Sequence, residues 1–246
     1  MDSEYRDNGL RNEEQAAEGL TFAMLDSAMP GLSEHQAQAF MRYYDMLMER
    51  NRYVNLTRIT EPLEVAQKHF ADSLLAAELI PQNARVIDVG TGAGFPGIPI
   101  GIMRPDIKLT LLDSLGKRVK FLEEVCAALG IEAAAVHARA EDGARNDSMR
   151  GHFDIALSRA VAPMNVLMEL TVPFLKIGGA SLMYKGSGAR DEILESANAA
   201  RELCCEVSSV DYDVPWGART VVIARKIERT PARYPRKAGT AQKKPL

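Results

Sequence analysis

The chain has 246 residues, 46% of them hydrophobic and 26% charged, which is enough apolar material for one large or two small compact domains and excludes a disordered or fibrous protein. Thirty Lys and Arg against 33 Asp and Glu leave a formal charge of −3, so the molecule has no polycationic field and any nucleic-acid binding must be local. The longest apolar stretch, 92–103, falls well short of the roughly 20 residues of a membrane span, so no membrane partner is expected.

Residues 1–20 carry six acids against Arg6 and Arg11, the reverse of a basic, apolar signal peptide, and are expected to form a disordered acidic leader. Three cysteines, Cys126, Cys204 and Cys205, have no metal-ligand spacing. No metal is expected, and the expected location is a reducing cytoplasm. Apolar residues at Leu20, Met24 and Leu25, then Phe40, Tyr43, Tyr44, Leu47 and Met48, recur every three or four positions, and Ser33 with Gln36 forms a capping-box pair. After an irregular segment at 55–60, a helical stretch is predicted from Pro62 to Leu79. Residues 21–80 therefore read as a helical subdomain.

From Ala84 short apolar runs alternate with helical stretches. Strands are predicted at Arg85–Val89, Lys108–Leu112, Ala133–Ala138, Asp154–Ser158, Ala180–Tyr184, Cys205–Asp211 and Thr220–Ala224, with helices such as Lys117–Leu129 and Ala189–Leu203 between them. That alternation predicts an α/β fold with a mostly parallel sheet covered on both faces over residues 81–227. The turn around Pro215-Trp216-Gly217 is too short for a crossover helix, so the last two strands must pair antiparallel. Residues 228–246 hold six bases against Glu228, together with three prolines. They read as a basic tail, poorly ordered when free, that meets RNA phosphates and whose removal leaves cofactor affinity unchanged.

The sharpest signal is Asp88-Val89-Gly90-Thr91-Gly92-Ala93-Gly94-Phe95-Pro96-Gly97, between the first strand and its helix. Glycines there let the backbone approach a ligand at the carboxyl end of the sheet, but the same pattern serves NAD and S-adenosylmethionine (SAM). Asp113, 23 residues after Gly90, can hold both hydroxyls of a ribose in either cofactor. Asp88 favours SAM, because a carboxylate suits its amino group and would repel a pyrophosphate. The seven strands with a terminal antiparallel hairpin favour SAM as well. Two alternatives are an NAD(P)-dependent oxidoreductase, for which no Tyr-x-x-x-Lys pair is present, and a non-catalytic RNA-binding protein, which would not need the intact glycines and Asp113.

From Asn55 to Lys226 the sequence resembles the bacterial 16S ribosomal RNA guanine-N7 methyltransferases, also called glucose-inhibited division protein B. The resemblance is carried by Asn55-Leu56-Thr57, His69-Phe70-Ala71-Asp72-Ser73-Leu74, the glycine loop extended to Pro99, Leu111-Leu112-Asp113-Ser114-Leu115-Gly116-Lys117-Arg118, Ser158-Arg159-Ala160-Val161-Ala162 and Lys185-Gly186. It implies a Rossmann-like, doubly wound class I SAM-dependent methyltransferase acting on 16S rRNA or the 30S subunit. Asp88, Gly90, Gly92, Gly94 and Phe95 would then line the cofactor pocket, Asp113 would take the ribose and Ala140-Glu141 the adenine. Arg159 would face either the methionine carboxylate or the RNA. His69, Arg139, Lys185 and Arg219 would meet the RNA. His69 can also be read as a hydrogen-bonded core histidine, and Arg139 and Arg219 as solvated surface charges. No catalytic side chain is expected. After the fourth strand the chain has neither an Asn/Asp-Pro-Pro-aromatic motif nor a Pro-Cys, and a ring nitrogen with a free lone pair needs no general base.

Overall fold

The computed structural model describes residues 19–246, so all but the last two residues of the acidic leader lie outside the described residues. Seven strands form one sheet in the order β3-β2-β1-β4-β5-β7-β6. They are β1 (Arg85–Val89), β2 (Lys108–Asp113), β3 (Ala133–His137), β4 (Phe153–Arg159), β5 (Leu175–Lys185), β6 (Cys205–Tyr212) and β7 (Arg219–Lys226). The first five pair parallel, and β7 runs antiparallel to both β5 and β6. In β1, Val86, Ile87, Asp88 and Val89 are all buried, the near-continuous run of a strand covered on both faces. The chain reverses its direction of winding between β1 and β4, and ligands bind doubly wound sheets outside the carboxyl ends of the strands at such a point.

The helices are α1 (Phe22–Ala28), α2 (Glu34–Val54), α3 (Pro62–Val65), α4 (Asp72–Leu74), α5 (Gly97–Met103), α6 (Gly116–Leu129), α7 (Ala140–Gly143), α8 (Met164–Thr171), α9 (Ala189–Glu195), α10 (Ala197–Glu202) and α11 (Thr240–Lys243). Ser33 and Gln36 cap α2 reciprocally, as their spacing implies. The buried side of α2 places Phe40 and Tyr43 in one core with Phe70, Val86, Ile98, Leu109 and Leu157. The N-terminal helices and the sheet therefore share a single apolar interior.

Three sequence expectations are corrected. The helix expected over 62–79 is interrupted: between α3 and α4 the chain makes a π-helical turn at Ala66–Ala71, and a 3-10 turn at Ala77–Leu79 follows. The helix expected over 189–203 breaks at Ser196, whose hydroxyl donates to the Ile193 carbonyl. The basic tail is packed against the domain. Tyr234 is buried with Leu203 and Met168, the Arg150 guanidinium donates to the Tyr234 carbonyl at 2.7 Å, and Arg145 donates to that of Pro235 at 2.9 Å. Net basicity did not reveal that two tail arginines answer acids of the domain, Arg233 with Glu202 and Arg236 with Glu169.

Candidate functional site

The chain leaves β1 into the glycine loop, which is anchored from beneath. The Gly90 and Thr91 amides donate to the Leu112 carbonyl at 2.8 and 3.2 Å, tying the loop to β2. Asp88 is fully buried rather than at the loop's mouth: its Oδ2 accepts the Thr91 hydroxyl at 2.6 Å and the Gly97 amide at 2.8 Å. Its Oδ1 has no partner among the described residues, and burial pushes the carboxyl up to about 6. A Cβ on Gly97 would lie 2.5 Å from Leu111 and 2.8 Å from the Asp88 carboxylate, so only glycine permits this approach. Gly92, at φ +63°, faces open space. From α2, the buried Tyr43 hydroxyl donates to the Ala93 carbonyl at 2.7 Å and supports the loop from the helical side.

Asp113 ends β2 with its carboxylate fixed by the Gly92 amide at 3.0 Å on Oδ2 and the Leu115 amide at 2.9 Å on Oδ1. Arg118 Nη1 also approaches Oδ2 at 3.4 Å, so Oδ1 is the oxygen with a lone pair left for a further donor. Beside it opens a cleft of about 300 Å³, lined by Gly90, Asp113, Arg139, Ala140, Glu141 and Gln242 among others. The structure thus brings together the expected ribose and adenine residues, with Arg139 exposed at the rim. Glu141 is itself engaged, its Oε1 accepting the Gly239 amide at 2.9 Å.

A second cluster lies along the same sheet edge. Arg159 ends β4, Lys185 ends β5, and Arg219 begins the antiparallel β7, which brings it to the same edge. The π-helical turn carries His69 and delivers Asp72 into this group. Asp72 is 4% exposed and serves three donors: Arg159 at 3.1 Å on Oδ2, and the Arg219 Nε at 2.7 Å and the Trp216 indole at 3.0 Å on Oδ1. Phe95 stacks on the His69 ring, with centroids 4.4 Å apart, and the Arg159 guanidinium lies 5.0 Å from the centre of the same phenyl ring. Phe95 is thereby placed in this stack rather than on the lining of the cleft.

His69 is held on both nitrogens. Arg159 can only donate, so His69 Nδ1, 3.4 Å from Nη2, is the acceptor and Nε2 donates to the Thr57 hydroxyl at 2.7 Å. Burial and the adjacent Arg159 lower the imidazole to about 4, so the ring is neutral near pH 7. Lys185, its side chain 9% exposed, donates to Glu192 at 2.6 Å and to the Ala162 carbonyl at 3.0 Å, fastening β5 to the segment after β4. The structure therefore gives His69 and Lys185 internal partners, whereas Arg139 makes no side-chain hydrogen bond among the described residues. Sequence reasoning missed Asp72, Trp216, Tyr43 as a loop support, and Gln242. Only Asp72 left a trace, standing one helical turn after His69 in the quoted motif.

Among the described residues no group of three or more His, Cys, Asp or Glu could hold a metal ion, and no helix is long and apolar enough to cross a membrane. Residues 36–214 match the family model described as rRNA small subunit methyltransferase G. The protein named ribosomal RNA small subunit methyltransferase G in Desulforamulus reducens is 46% identical over 221 residues, which cover 87% of this chain and 92% of the relative. Its namesake in Clostridium perfringens strain 13 is 46% identical over 227 residues, covering 90% and 95%. Among solved structures, cofactor-bound Rv0187 from MTB superposes with a TM-score of 0.56 at 18% identity, over 85% of this chain and 96% of that one. Precorrin-6y C5,15-methyltransferase from Geobacter metallireducens gives 0.50 at 14% identity, over 70% and 90%. At such identities the likeness speaks to fold, the class I methyltransferase sheet.

Proposed function

The chain belongs to the rRNA small subunit methyltransferase G family, and on that premise we infer that it transfers a methyl group from SAM to N7 of a guanine in 16S rRNA. The observation that carries the cofactor reading is Asp113: a buried carboxylate fixed by two loop amides and Arg118, with a lone pair of Oδ1 left for a ligand, beside a cleft of about 300 Å³.

The residues present fit SAM. Asp113 would hold the ribose hydroxyls, Ala140 and Glu141 would border the adenine, and the backbone at Gly90 and Gly92 would leave room for the amino acid part. The orphaned Asp88 oxygen supports a cationic amino group above the loop. A pyrophosphate would meet the same carboxylate as repulsion, which disfavours NAD. Bound there, SAM supplies an electrophilic methyl group.

The protein's contribution is alignment and exclusion of water. Guanine N7 attacks with a lone pair already available, so no side chain must take a proton. His69, neutral and hydrogen-bonded on both nitrogens, is consistent with that. The backbone after β4, where Ala160 adopts φ +55°, borders the cleft through Ala160 and Val161 and is the natural platform for the acceptor base. Arg159 sits behind that platform, committed to Asp72 and Phe95, and on this reading it shapes the site rather than pairing with the methionine carboxylate. Arg139 at the rim and the exposed tail bases Lys237, Lys243 and Lys244 would meet RNA phosphates, in the cytoplasm where ribosomal subunits mature.

Equilibrium dialysis against SAM and NAD, followed by methylation of 30S subunits from cells lacking the gene and mapping of the modified base, tests this reading. Retention of NAD but not SAM, or a product methylated on an exocyclic amine, would overturn it.

A further inference from the structure

The tail expected to serve RNA alone reaches the cofactor cleft. Arg236 anchors it on Glu169 of α8, and the Gly239 amide, in the left-handed region at φ +79°, donates to Glu141 in the cleft wall. Two residues on, Ala241 is buried against Val166 and Leu170 of α8, with Ala140 and Ala162 packed around it. Between those anchors and the chain end, Gln242 joins Asp113, Arg139 and Ala140 in lining the cleft. Its carboxamide makes no hydrogen bond among the described residues.

We propose that residues 238–246 form a wall of the cofactor cleft and that the Gln242 carboxamide hydrogen-bonds the nucleoside of the bound cofactor. A carboxamide offers an acceptor and two donors side by side, the set that matches the amino group and neighbouring ring nitrogen of an adenine. Glu141 cannot fill that role alone, since one of its oxygens is engaged by the tail. The same nine residues carry Lys243 and Lys244, exposed to solvent. RNA that engages those lysines holds the wall in place, so RNA and cofactor raise each other's affinity by one common factor. The inference rests on the reading of this cleft as the SAM site.

Calorimetric titration of the full chain with SAM and with S-adenosylhomocysteine tests it, alongside three variants. Gln242→Met keeps the length and removes the hydrogen bonds. It should weaken both ligands equally, by about threefold to tenfold, with the thermal unfolding of the free protein unchanged. Ala241→Glu unseats the segment from Val166 and Leu170 and should weaken both ligands by at least as much. Lys243→Gln with Lys244→Gln should reduce the gain in SAM affinity that added 16S rRNA brings to the full chain. Unaltered affinities in Gln242→Met and Ala241→Glu would overturn the proposal, as would a loss confined to SAM, because the two ligands share the nucleoside. Gly92→Val serves as the separate control. SAM binding that survives it removes the site reading itself, whereas its loss alongside unaltered Gln242→Met removes only the role of the tail.

Discussion

Arg236 grips Glu169 through four contacts: its backbone amide at 2.7 Å and Nε at 3.0 Å on Oε1, and Nε at 3.1 Å and Nη2 at 2.6 Å on Oε2. The Glu169 side chain is 1% exposed, so the carboxylate depends on this partner. Breaking a buried pair from one side leaves an uncompensated charge, and Arg236→Met should cost about 3–5 kcal/mol of stability. Arg233, exposed beside Glu202, should be replaceable by Ala with no measurable change. Urea midpoints of the two variants check the contrast.

Asp113→Ala should weaken SAM by roughly 1.5–3 kcal/mol, the cost of losing hydrogen bonds to a charged acceptor. The readout is dialysis, with circular dichroism to show that the loop's loss of two anchors leaves the fold intact.

Asp88 gives the cofactor affinity a pH dependence of predictable sign. With its carboxyl pushed up to about 6, it is ionised at pH 7.5 and protonated at pH 5. If it attracts the cofactor's ammonium, SAM affinity falls as pH drops through 6, and Asp88→Asn, which retains an oxygen for Thr91 and Gly97, binds more weakly at pH 7.5 and loses the inflection. Stability runs the other way. A carboxyl raised on folding contributes stability that is present below its ordinary value of 3.8 and lost as pH rises through 6, so Asp88→Asn should gain stability at pH 8 relative to pH 4.5.

Single-turnover methylation at saturating RNA should be nearly flat from about pH 6.5 to 9, because N7 loses no proton and His69 titrates near 4. His69→Gln should lower the rate through its contacts with Phe95 and Thr57 without reshaping the profile. A tenfold rise in rate per pH unit that vanishes in this variant would establish a base.

Replacing Lys237, Lys243 and Lys244 by Gln should flatten the dependence of log K for RNA on log salt by as much as ~0.7 for each lost contact to single-stranded RNA. Identical slopes would mean that these exposed lysines only solubilise the tail.

The sheet and the glycine loop were legible in the sequence because both are local. Buried strands such as β1 and β2 are short, mostly apolar runs, and Gly90 to Gly97 lie within one loop of eight residues. The expected seven strands and the antiparallel pairing of β6 with β7 are what the structure contains. What escaped is what long-range pairing decides. The tail's bases look free in sequence because their acids, Glu169 and Glu202, stand far upstream, and Gln242 has no signal that ties it to Asp113. Period alone predicts a helix over 62–79. It does not register the π-helical turn, which changes the direction of each side chain by a fraction of a turn and sets Asp72 between two arginines.

That arrangement of Asp72 fixes the electrical character of the sheet edge. Two guanidiniums share one carboxylate and the imidazole is neutral, so the group of Arg159, Arg219, Asp72 and His69 holds a surplus of one positive charge. A lone surplus charge is screened within about 8 Å at physiological ionic strength. It does nothing to draw a polyanion from a distance, so an anion would sense the surplus only on direct contact with the edge.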